Sequence, residues 1–294
     1  MKTFSTKVAV VIPVHNRRET TLQALRSISK LNGSGLEIHV IIVDDGSTDG
    51  TSEAIMNFFP AVEVIPGDGS LHYAGGTNRG IDAALKHNPE FIVTCNDDSI
   101  FHEELLQRLI FTARTHPKSI VGAMLLLWDQ PTVSFQTDFK WNTWKGGWQQ
   151  PDGKSIFDFP QEAFEVEGLA GNCVLIPVQA VLECGMMAES KFPHGWGDIQ
   201  YFVRMRKAGW RLLLEPRAFA WCEPNTNPPA LHSLTFRRVL SVLFQDRRHP
   251  LNLQRQFVAR WESAPTRLRA AGAFTVFLVQ LGMKALTYAF RPHA

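Results

Sequence analysis

Short apolar runs alternate with helical patterns over the first half of the chain. Val8–Val14 and Leu36–Val43 are rich in β-branched residues, which is typical of buried strands. Between them, Arg18–Leu31 repeats apolar side chains at the spacing of an amphipathic helix. A connection of this length makes the two strands parallel.

The same alternation continues to residue 127. Further helices are predicted at Thr51–Phe59, Gly76–Lys86 and Glu103–Thr115. Further strands are predicted at Val62–Ile65, Phe91–Cys95 and Ile120–Leu127. Alternating strands and helices predict an α/β fold, with an open, mostly parallel twisted sheet and helices on both faces.

The pattern changes after Leu127. Residues Trp128 to Phe164 are rich in Trp and Gly with little periodicity, which favours short antiparallel strands and loops over one end of the sheet. Helical patterns return at Val178–Cys184 and Ile199–Ala208, followed by a strand at Trp210–Glu215. A linker rich in Pro and Asn, Pro224–Pro229, precedes a basic segment with a helical pattern. We therefore predict one domain at 1–225 and a helical C-terminal extension at 226–294.

Composition places the chain among globular proteins. Of 294 residues, 45% are hydrophobic and 20% charged, which excludes a disordered, collagenous or coiled-coil chain. Four cysteines share no CxxC spacing, so we expect reduced thiols in a cytoplasmic protein. The first apolar run is too short for the core of a signal peptide. Charge is uneven, because residues 237–291 hold ten Lys and Arg against two acids, which favours an anionic partner surface.

Acidic residues follow two predicted strands, at the sheet edge where α/β proteins bind ligands. Asp44 and Asp45 follow the second strand, and Asn96-Asp97-Asp98 follows Phe91–Cys95. Either cluster alone is also typical of a turn or a helix N-cap, so that interpretation stays open. Two clusters at one edge repel each other unless a cation or a donor-rich ligand lies between them. Such carboxylates suit Mg²⁺ or Mn²⁺, whose shell a diphosphate would complete.

Five motifs in order resemble a known family. They are Val10-Val11-Ile12-Pro13-Val14-His15-Asn16-Arg17, Val43-Asp44-Asp45-Gly46-Ser47, Asn96-Asp97-Asp98, Ala170-Gly171-Asn172-Cys173, and Gly197-Asp198 with Arg204, Ala208, Gly209 and Trp210. Together they resemble the inverting family 2 glycosyltransferases of the GT-A fold, over residues 7–225. The resemblance implies a nucleotide-sugar-binding half at 1–127 and an acceptor-binding half at 128–225.

The resemblance also implies roles for single residues. Asp45 and the loop after the first strand would hold the nucleotide base and ribose, and Asp97 would lie near the ribose or sugar of the donor. Asp98 matches the last acid of the family's metal-binding DXD signature, and Asp198 matches its general base. The implied nucleotide-sugar ligands in the first loop are Pro13, His15, Asn16 and Arg17.

Asp198 also stands at the predicted start of helix Ile199–Ala208, so a helix N-cap is the alternative interpretation. Trp196 offers an aromatic face to a sugar ring, and we expect Trp196 and Asn172 to contact the acceptor. The family pattern has Glu-Asp where this chain has Gly197-Asp198. A residue that often contacts the acceptor is therefore missing.

A second departure from the family concerns the metal. Many members carry a His after the strand near Trp210–Glu215, where this chain has Cys222. Sulfur is a soft ligand and poorly suited to Mg²⁺. Either Glu223 or His232 takes the place of that His, or Asp98 and the diphosphate hold the ion alone.

A glycine-rich loop, Gly67–Gly80, follows the third strand. It lacks the fixed glycine spacing of a dinucleotide fingerprint and does not follow the first strand, so NAD is disfavoured. Its glycines would let the backbone approach a diphosphate, and Asn78 or Arg79 at a helix start would add donors. A plain loop with a helix cap stays open for each of these residues.

Four tryptophans lie within about twenty residues, namely Trp128, Trp141, Trp144 and Trp148. Aromatic faces cover the apolar face of a pyranose, so we expect at least one ring to face the acceptor groove. Core packing is the more frequent place for any single Trp.

The tail pattern predicts a helix at Leu268–Phe290. Its apolar stretch, Ala270–Met283, is shorter than the roughly 20 residues that span a bilayer. A polar stripe runs along it at Gln280, Lys284, Thr287 and Arg291. The pattern fits an interfacial or dimer-forming helix, or a helix packed on the catalytic domain.

The resemblance implies an inverting hexosyl- or deoxyhexosyltransferase with Mg²⁺ or Mn²⁺ as cofactor. It would move a sugar from a UDP, GDP or dTDP donor to a hydroxyl of a glycan or lipid-linked glycan, in cell-surface polysaccharide synthesis. We expect no nucleic-acid partner, and either peripheral attachment to the inner face of the membrane or a homodimer through the C-terminal helices.

Two other functions compete with this one. The alternative is a catalytically silent nucleotide-sugar-binding or scaffold protein on the same fold. A sugar-phosphate nucleotidyltransferase is disfavoured, because Pro13-Val14-His15-Asn16 is not a Gly-rich, basic loop.

Overall fold

The computed structural model describes residues 5–150, 153–193, 195–223, 236–246, 249 and 251–289. These residues form two units. The first comprises Met1–Phe139 with Pro151–Pro224, and the second comprises Lys140–Gln150 with Asn225–Ala294. The sequence placed residues 140–150 in the first domain, whereas they cluster with the C-terminal helices.

The first half of unit 1 follows the predicted alternation. Its strands are β1 (Thr6–Val14), β2 (Leu36–Asp44), β3 (Glu63–Pro66) and β4 (Phe91–Thr94). Its helices are α1 (Arg18–Ile28), α2 (Thr51–Phe58) and α3 (His72–Leu85). All four strands are parallel, in the order β3-β2-β1-β4.

The rest of unit 1 adds helices and strands of both directions. The strands are β5 (Ser99–Phe101), β6 (Ser119–Leu127), β9 (Phe164–Glu165), β10 (Val174–Pro177) and β11 (Arg211–Cys222). The helices are α4 (Leu105–Thr115), α5 (Val178–Cys184) and α6 (Gly197–Lys207). The path of the nine-stranded sheet is β3-β2-β1-β4-β10-β6-β11-β5, with β9 also on β11. The sheet is mixed, because β10, β5 and β9 pair antiparallel with their neighbours. The other strands, β1 to β4, β6 and β11, run in one direction, so the sheet is mostly parallel as predicted.

The core lies where helix α3 packs on the parallel strands. Val10, Val11 and Ile12 of β1 are fully buried, as expected for a strand covered on both faces. A Cβ atom at Gly80 of α3 would lie 2.3 Å from Val11 Cγ1. Only glycine allows this close approach, which brings the start of α3 to the carboxyl edge of the sheet.

Unit 2 joins a tryptophan hairpin to the C-terminal helices. The hairpin consists of β7 (Lys140–Asn142) and β8 (Gly147–Gln149), and the helices are α7 (Phe236–Leu240), α8 (Leu253–Ser263) and α9 (Arg267–Ala289). Trp148 packs edge-on against Trp141 and its Nε1–H donates to Ser263 Oγ at 2.8 Å. Buried Arg260 donates to the Gly146 carbonyl at 2.7 Å. Two of the four tryptophans thus pack within unit 2, whereas Trp144 is 83% exposed.

Helix α9 turns an apolar face outward. Leu268, Leu278 and Met283 are exposed, whereas Gln280 of the predicted polar stripe lies against Gly146 of the hairpin. The other stripe positions, side chains 284 and 287 and residue 291, lie outside the described residues. No helix among the described residues is both long and apolar enough to cross a bilayer.

Candidate active site

Four loops meet at the carboxyl edge of the parallel strands. They follow β1, β2, β3 and β4 and comprise residues 15–17, 45–50, 67–71 and 95–98. The parallel pairing of the strands makes this convergence unavoidable, because each strand ends at the same edge. The residues singled out in the sequence at 13–17, 45 and 97–98 therefore do lie at one edge.

Arg17 lies among three carboxylates at this edge. Its Nη2 donates to Glu223 Oε2 at 2.6 Å, its Nε lies 3.5 Å from Asp97 Oδ2, and its Nη1 lies 3.7 Å from Asp98 Oδ2. We call Arg17, Asp97, Asp98 and Glu223 the acidic cluster. One guanidinium against three carboxylates leaves an excess of negative charge. This basic partner, Arg17, is distant in sequence from all three acids.

Burial makes this excess costly. It raises the pKa of Asp97 to about 7, with Arg17 opposing the shift and the charge of Asp98 adding to it. Burial also raises the pKa of Asp98, with Arg17 opposing and Glu223 adding. Asp98 Oδ1 is buried and has no hydrogen-bond partner among the described residues. An all-oxygen set with an orphaned carboxylate oxygen fits Mg²⁺ or Mn²⁺.

The structure bears on which residue takes the place of the family's metal-binding His. The candidates are Glu223 and His232, because Cys222 stands at the corresponding position. Burial raises the pKa of the Cys222 thiol to about 12, so it stays neutral, and its sulfur accepts the Asn172 Nδ2–H at 3.1 Å. Cys222 therefore packs behind the cluster. Glu223 belongs to the acidic cluster and is held there by its ion pair with Arg17. His232 lies outside the described residues.

Asn172 supports the turn that carries the acidic cluster. Its Oδ1 accepts the Asn96 N–H at 2.9 Å and its Nδ2 donates to Ser99 Oγ at 2.9 Å. The residue is 4% exposed and its amide is used on both sides. The structure thus places Asn172 beneath residues 96–98, and its contact with the acceptor stays a prediction.

The first and second loops are tied together by their own polar groups. Asn16 adopts a left-handed backbone with φ of 53°. Its N–H donates to Ser47 Oγ at 2.8 Å, and its Oδ1 accepts the Thr48 N–H at 2.7 Å. His15 Nδ1 lies 2.6 Å from the Asp45 carbonyl oxygen. This loop is therefore shaped by the fold, with His15 and Asn16 facing solvent.

Asp45 holds the third loop in place. Its Oδ1 accepts the N–H groups of Gly69 at 2.8 Å and Leu71 at 3.2 Å, and its Oδ2 accepts the His72 N–H at 2.9 Å. A carboxylate has about four acceptor positions, so one on Oδ2 is left for a ligand. Its role as a ligand of the nucleotide base stays a prediction.

Helix α3 starts at His72, four residues before the predicted Gly76. Asn78 therefore lies inside the helix, where its Nδ2 donates to the Met187 carbonyl at 3.0 Å and its Oδ1 accepts the Met187 N–H at 2.9 Å. The placement of Asn78 and Arg79 at a helix start was wrong: Asn78 fastens α3 to the loop after α5, and Arg79 is exposed further along α3. The reason lies in Gly76, which serves close packing, since a Cβ there would lie 2.8 Å from Pro13 Cβ.

Asp198 is oriented by a backbone donor. Its Oδ2 accepts the Gly171 N–H at 2.9 Å and its Oδ1 accepts the Ile199 N–H at 2.8 Å. The N-cap of α6 is Trp196, which is partly exposed and has a left-handed φ of 63°. Asp198 is thus the second residue of the helix and not its cap.

Tyr73 lies beside Asp198, and the sequence analysis did not single it out. A Cβ at Gly171 would lie 2.1 Å from Tyr73 Oη and 2.9 Å from Asp198 Cβ, so the hydroxyl meets Gly171 beside Asp198. Burial, together with the charge of Asp198, raises the pKa of Tyr73 well above its usual value, which keeps it protonated. Its hydroxyl is buried without a hydrogen-bond partner among the described residues.

Comparison with known families agrees with this geometry. The model of glycosyl transferase family 2 matches residues 9–169, more than half of the chain. The chain belongs to this family. The match covers the first four loops of this glycosyltransferase, including Arg17, Asp45, Asp97 and Asp98.

Individual proteins of known name are also similar to this glycosyltransferase. The N-acetylglucosaminyl-diphospho-decaprenol L-rhamnosyltransferase of Mycobacterium tuberculosis is 24% identical over 263 residues, 81% of each chain. The structure of GalNAc-T7 with UDP, GalNAc and Mn²⁺ aligns with a TM-score of 0.61 and 13% identity over 98% of this chain and 58% of that one. S. aureus TarS 1–349 with UDP aligns with a TM-score of 0.55 and 14% identity over 93% and 71%. At these identities the two structures show the fold alone, which is GT-A.

Proposed function

We propose that the protein is a metal-dependent inverting glycosyltransferase, which transfers a sugar from a nucleoside diphosphate donor to a hydroxyl of a lipid-linked glycan. One observation carries the proposal. Gly171 and Asn172, which are neighbours in the chain, connect the general base to the acidic cluster. The Gly171 N–H orients Asp198, and the Asn172 amide supports the turn of Asp97 and Asp98. Because neighbouring Cα atoms are about 3.8 Å apart, base and acidic cluster are held as one constellation.

The acidic cluster would bind the diphosphate end of the donor. Asp98, with Asp97 and Glu223, would hold Mg²⁺ or Mn²⁺, and the bound ion would neutralise charge on the leaving diphosphate. Arg17 already lies among these carboxylates. A guanidinium also pairs with phosphate oxygens, so Arg17 would turn from the acids to the diphosphate when donor and ion arrive.

Asp198 would act as the general base. A carboxylate held by the Gly171 N–H keeps acceptor positions for the proton of an incoming hydroxyl. As that oxygen attacks the anomeric carbon, its proton passes to Asp198 and the bond to the diphosphate breaks on the opposite face, which inverts the configuration. Trp196, adjacent to this helix start, would offer its ring to the acceptor sugar.

The relatives indicate the donor and acceptor classes. The M. tuberculosis relative is named for transfer of L-rhamnose to N-acetylglucosaminyl-diphospho-decaprenol. We propose a hexose or deoxyhexose donor on UDP, GDP or dTDP and a polyprenyl-diphosphate glycan as acceptor, in the synthesis of a cell-surface polysaccharide. A thermal-shift panel of UDP-, GDP- and dTDP-sugars with and without Mn²⁺ tests the donor, because a ligand that binds the native state raises its melting temperature.

Transfer must then separate the enzyme from a silent binding protein. The nucleotide sugar identified by the thermal-shift panel and a short-chain GlcNAc-diphospho-lipid should react to give a product. NMR should show that its new linkage has the anomeric configuration opposite to that of the donor. Donor binding without transfer to a series of such acceptors would favour the silent, scaffold-type function on the same fold.

Unit 2 carries exposed apolar and basic side chains. Its exposed apolar side chains lie on α8 and α9, and they are Phe257, Trp261, Leu268, Leu278, Val279 and Met283. Arg267 and Arg269 are exposed on the first turn of α9. Apolar side chains combined with basic groups bind anionic bilayers, with about 1 kcal/mol for each Lys or Arg near the surface. We therefore propose peripheral attachment of unit 2 to an anionic membrane.

Vesicle sedimentation tests this attachment. Changing Leu268, Leu278 and Met283 together to Gln should move the full-length protein from anionic vesicles to the supernatant. The matched control is the variant with Phe58→Gln and Phe111→Gln. These two side chains lie in unit 1 and are 65% and 63% exposed. Attachment should weaken with added salt. The wild-type protein could instead stay in the supernatant and form a dimer that the triple variant does not form. That result would show that the apolar face joins two copies.

A further inference from the structure

Two histidines and one glutamate meet far from the reaction site. His39 lies on β2, Glu63 is the first residue of β3, and His87 follows α3. Glu63 pairs in register with Ile41, two residues beyond His39, so His39 and Glu63 share one face of the sheet. The reaction site lies beyond the carboxyl ends of the strands, whereas Glu63 begins its strand and His87 precedes β4.

The three side chains converge on one point. His39 Nε2 lies 2.7 Å and His87 Nε2 lies 2.9 Å from the same oxygen, Glu63 Oε2. The two imidazole rings lie 3.8 Å apart, and the three potential ligand atoms all lie within 4.8 Å of one another.

This set of donor atoms is that of a transition-metal site. Two imidazole nitrogens and one carboxylate oxygen are a ligand set that Zn²⁺ takes in proteins, with a fourth position left for water. Zn–N and Zn–O bonds of about 2.0–2.1 Å place tetrahedral ligand atoms about 3.3 Å apart. The two N···O separations, 2.7 and 2.9 Å, need to widen by about half an ångström, which side chains that are 33–42% exposed allow.

The surroundings can supply the fourth ligand. A cleft of about 10 Å³ lies beside both imidazoles, which is space for roughly one water molecule. Lys7 and Glu37 on its rim pair with each other at 3.5 Å.

We propose that His39, Glu63 and His87 form a Zn²⁺ site, separate from the reaction site. The ion would tie β3 to β2 and to the segment between α3 and β4. Strand β3 has four residues and pairs only with β2 in the described sheet, so a metal clip would secure the edge of the nucleotide-binding half.

Zinc titration of the full-length protein tests the proposal. A chromophoric chelator competes for Zn²⁺ while excess Mg²⁺ occupies the acidic cluster. We expect one Zn²⁺ per chain with a dissociation constant of about 1 µM or tighter. His87→Gln and Glu63→Gln should each weaken binding at least tenfold, and Zn²⁺ should raise the melting temperature of the wild type but not of His87→Gln.

Three controls locate the ion. His116→Gln removes a histidine outside the cluster, Cys184→Ser removes a partly exposed thiol, and Asp98→Asn alters the acidic cluster; each should keep zinc binding. Co²⁺ in place of Zn²⁺ should give the visible absorption of a four-coordinate ion, lost in His87→Gln. Zinc binding that is substoichiometric in the wild type, or unchanged in both His87→Gln and Glu63→Gln, would overturn the proposal and leave a hydrogen-bonded cluster.

Discussion

Replacing Asp97 with Asn should stabilise the unliganded protein by an amount that grows with pH. Burial raises the pKa of Asp97 to about 7, against 3.8 in an unfolded chain. The native state therefore binds the proton more tightly than the unfolded state, and the free energy of unfolding falls as pH rises between these two values. The amide of the Asp97→Asn variant would stay neutral and avoid this loss.

The magnitude follows from the two pKa values. Each pKa unit corresponds to about 1.4 kcal/mol, so the full cost of ionising Asp97 is about 4 kcal/mol above pH 7 and about 2 kcal/mol at pH 5. The stabilisation by Asp97→Asn should therefore grow by about 2–3 kcal/mol from pH 5 to pH 8. The Asp97 side chain is 10% exposed, so solvent screens little of this cost. The attraction of Arg17 is already contained in the raised pKa.

Urea unfolding with EDTA present, at pH 5, 6, 7 and 8, measures the effect. The quantity that tests the argument is how the stability difference between Asp97→Asn and wild type changes with pH. Any effect of the amide group that does not depend on pH cancels in this comparison. Asp82→Asn, at an exposed position of α3, corrects for the loss of one negative charge. A difference between Asp97→Asn and wild type that stays constant or shrinks from pH 5 to pH 8 would refute the electrostatic argument.

Three further variants test the rest of the site. Asp198→Asn should keep the Gly171 contact, the fold and donor binding, but lower turnover by at least about 10² in a transfer assay; wild-type turnover would place the base elsewhere. Asn172→Ala leaves the Asn96 N–H and the Ser99 hydroxyl without their partner, and urea unfolding should show a loss of about 1–3 kcal/mol. Tyr73→Phe should leave the melting temperature unchanged yet lower transfer about tenfold, because its hydroxyl has no partner in the described fold and would find one on the substrate; unchanged kinetics would make it a packing residue.

The fold of the first half was predictable because each element carries its own pattern. Runs of β-branched residues and helical spacing placed β1, β2 and β4 within two residues of their ends. Strand β10 was missed, since the three apolar residues between Cys173 and Pro177 carry no period of their own. The start of α3 was misplaced because Gly75 and Gly76 are typical of loops, whereas Gly76 makes room for Pro13.

The acidic half of the site was predictable from strand ends, but its partners were not. Arg17 and Glu223 are separated by 206 positions, and no local pattern shows that one faces the other. Asn172 belongs to a motif at the right place, but sequence does not show whether an amide faces a ligand or the turn above it. Side-chain direction comes from packing, here from the pairing of β10 with β4 and β6.

Calorimetry of nucleoside diphosphates tests the central claim most directly. UDP, GDP and dTDP would each be titrated into wild type, Asp98→Asn and the control Asp82→Asn, with Mn²⁺ and with EDTA. We expect one nucleotide to bind wild type and Asp82→Asn only with Mn²⁺, and to bind Asp98→Asn at least about 100-fold more weakly, or about 2.8 kcal/mol, while circular dichroism shows an intact fold. Equal affinity with EDTA, or equal affinity in Asp98→Asn, would contradict a metal–diphosphate site at the acidic cluster.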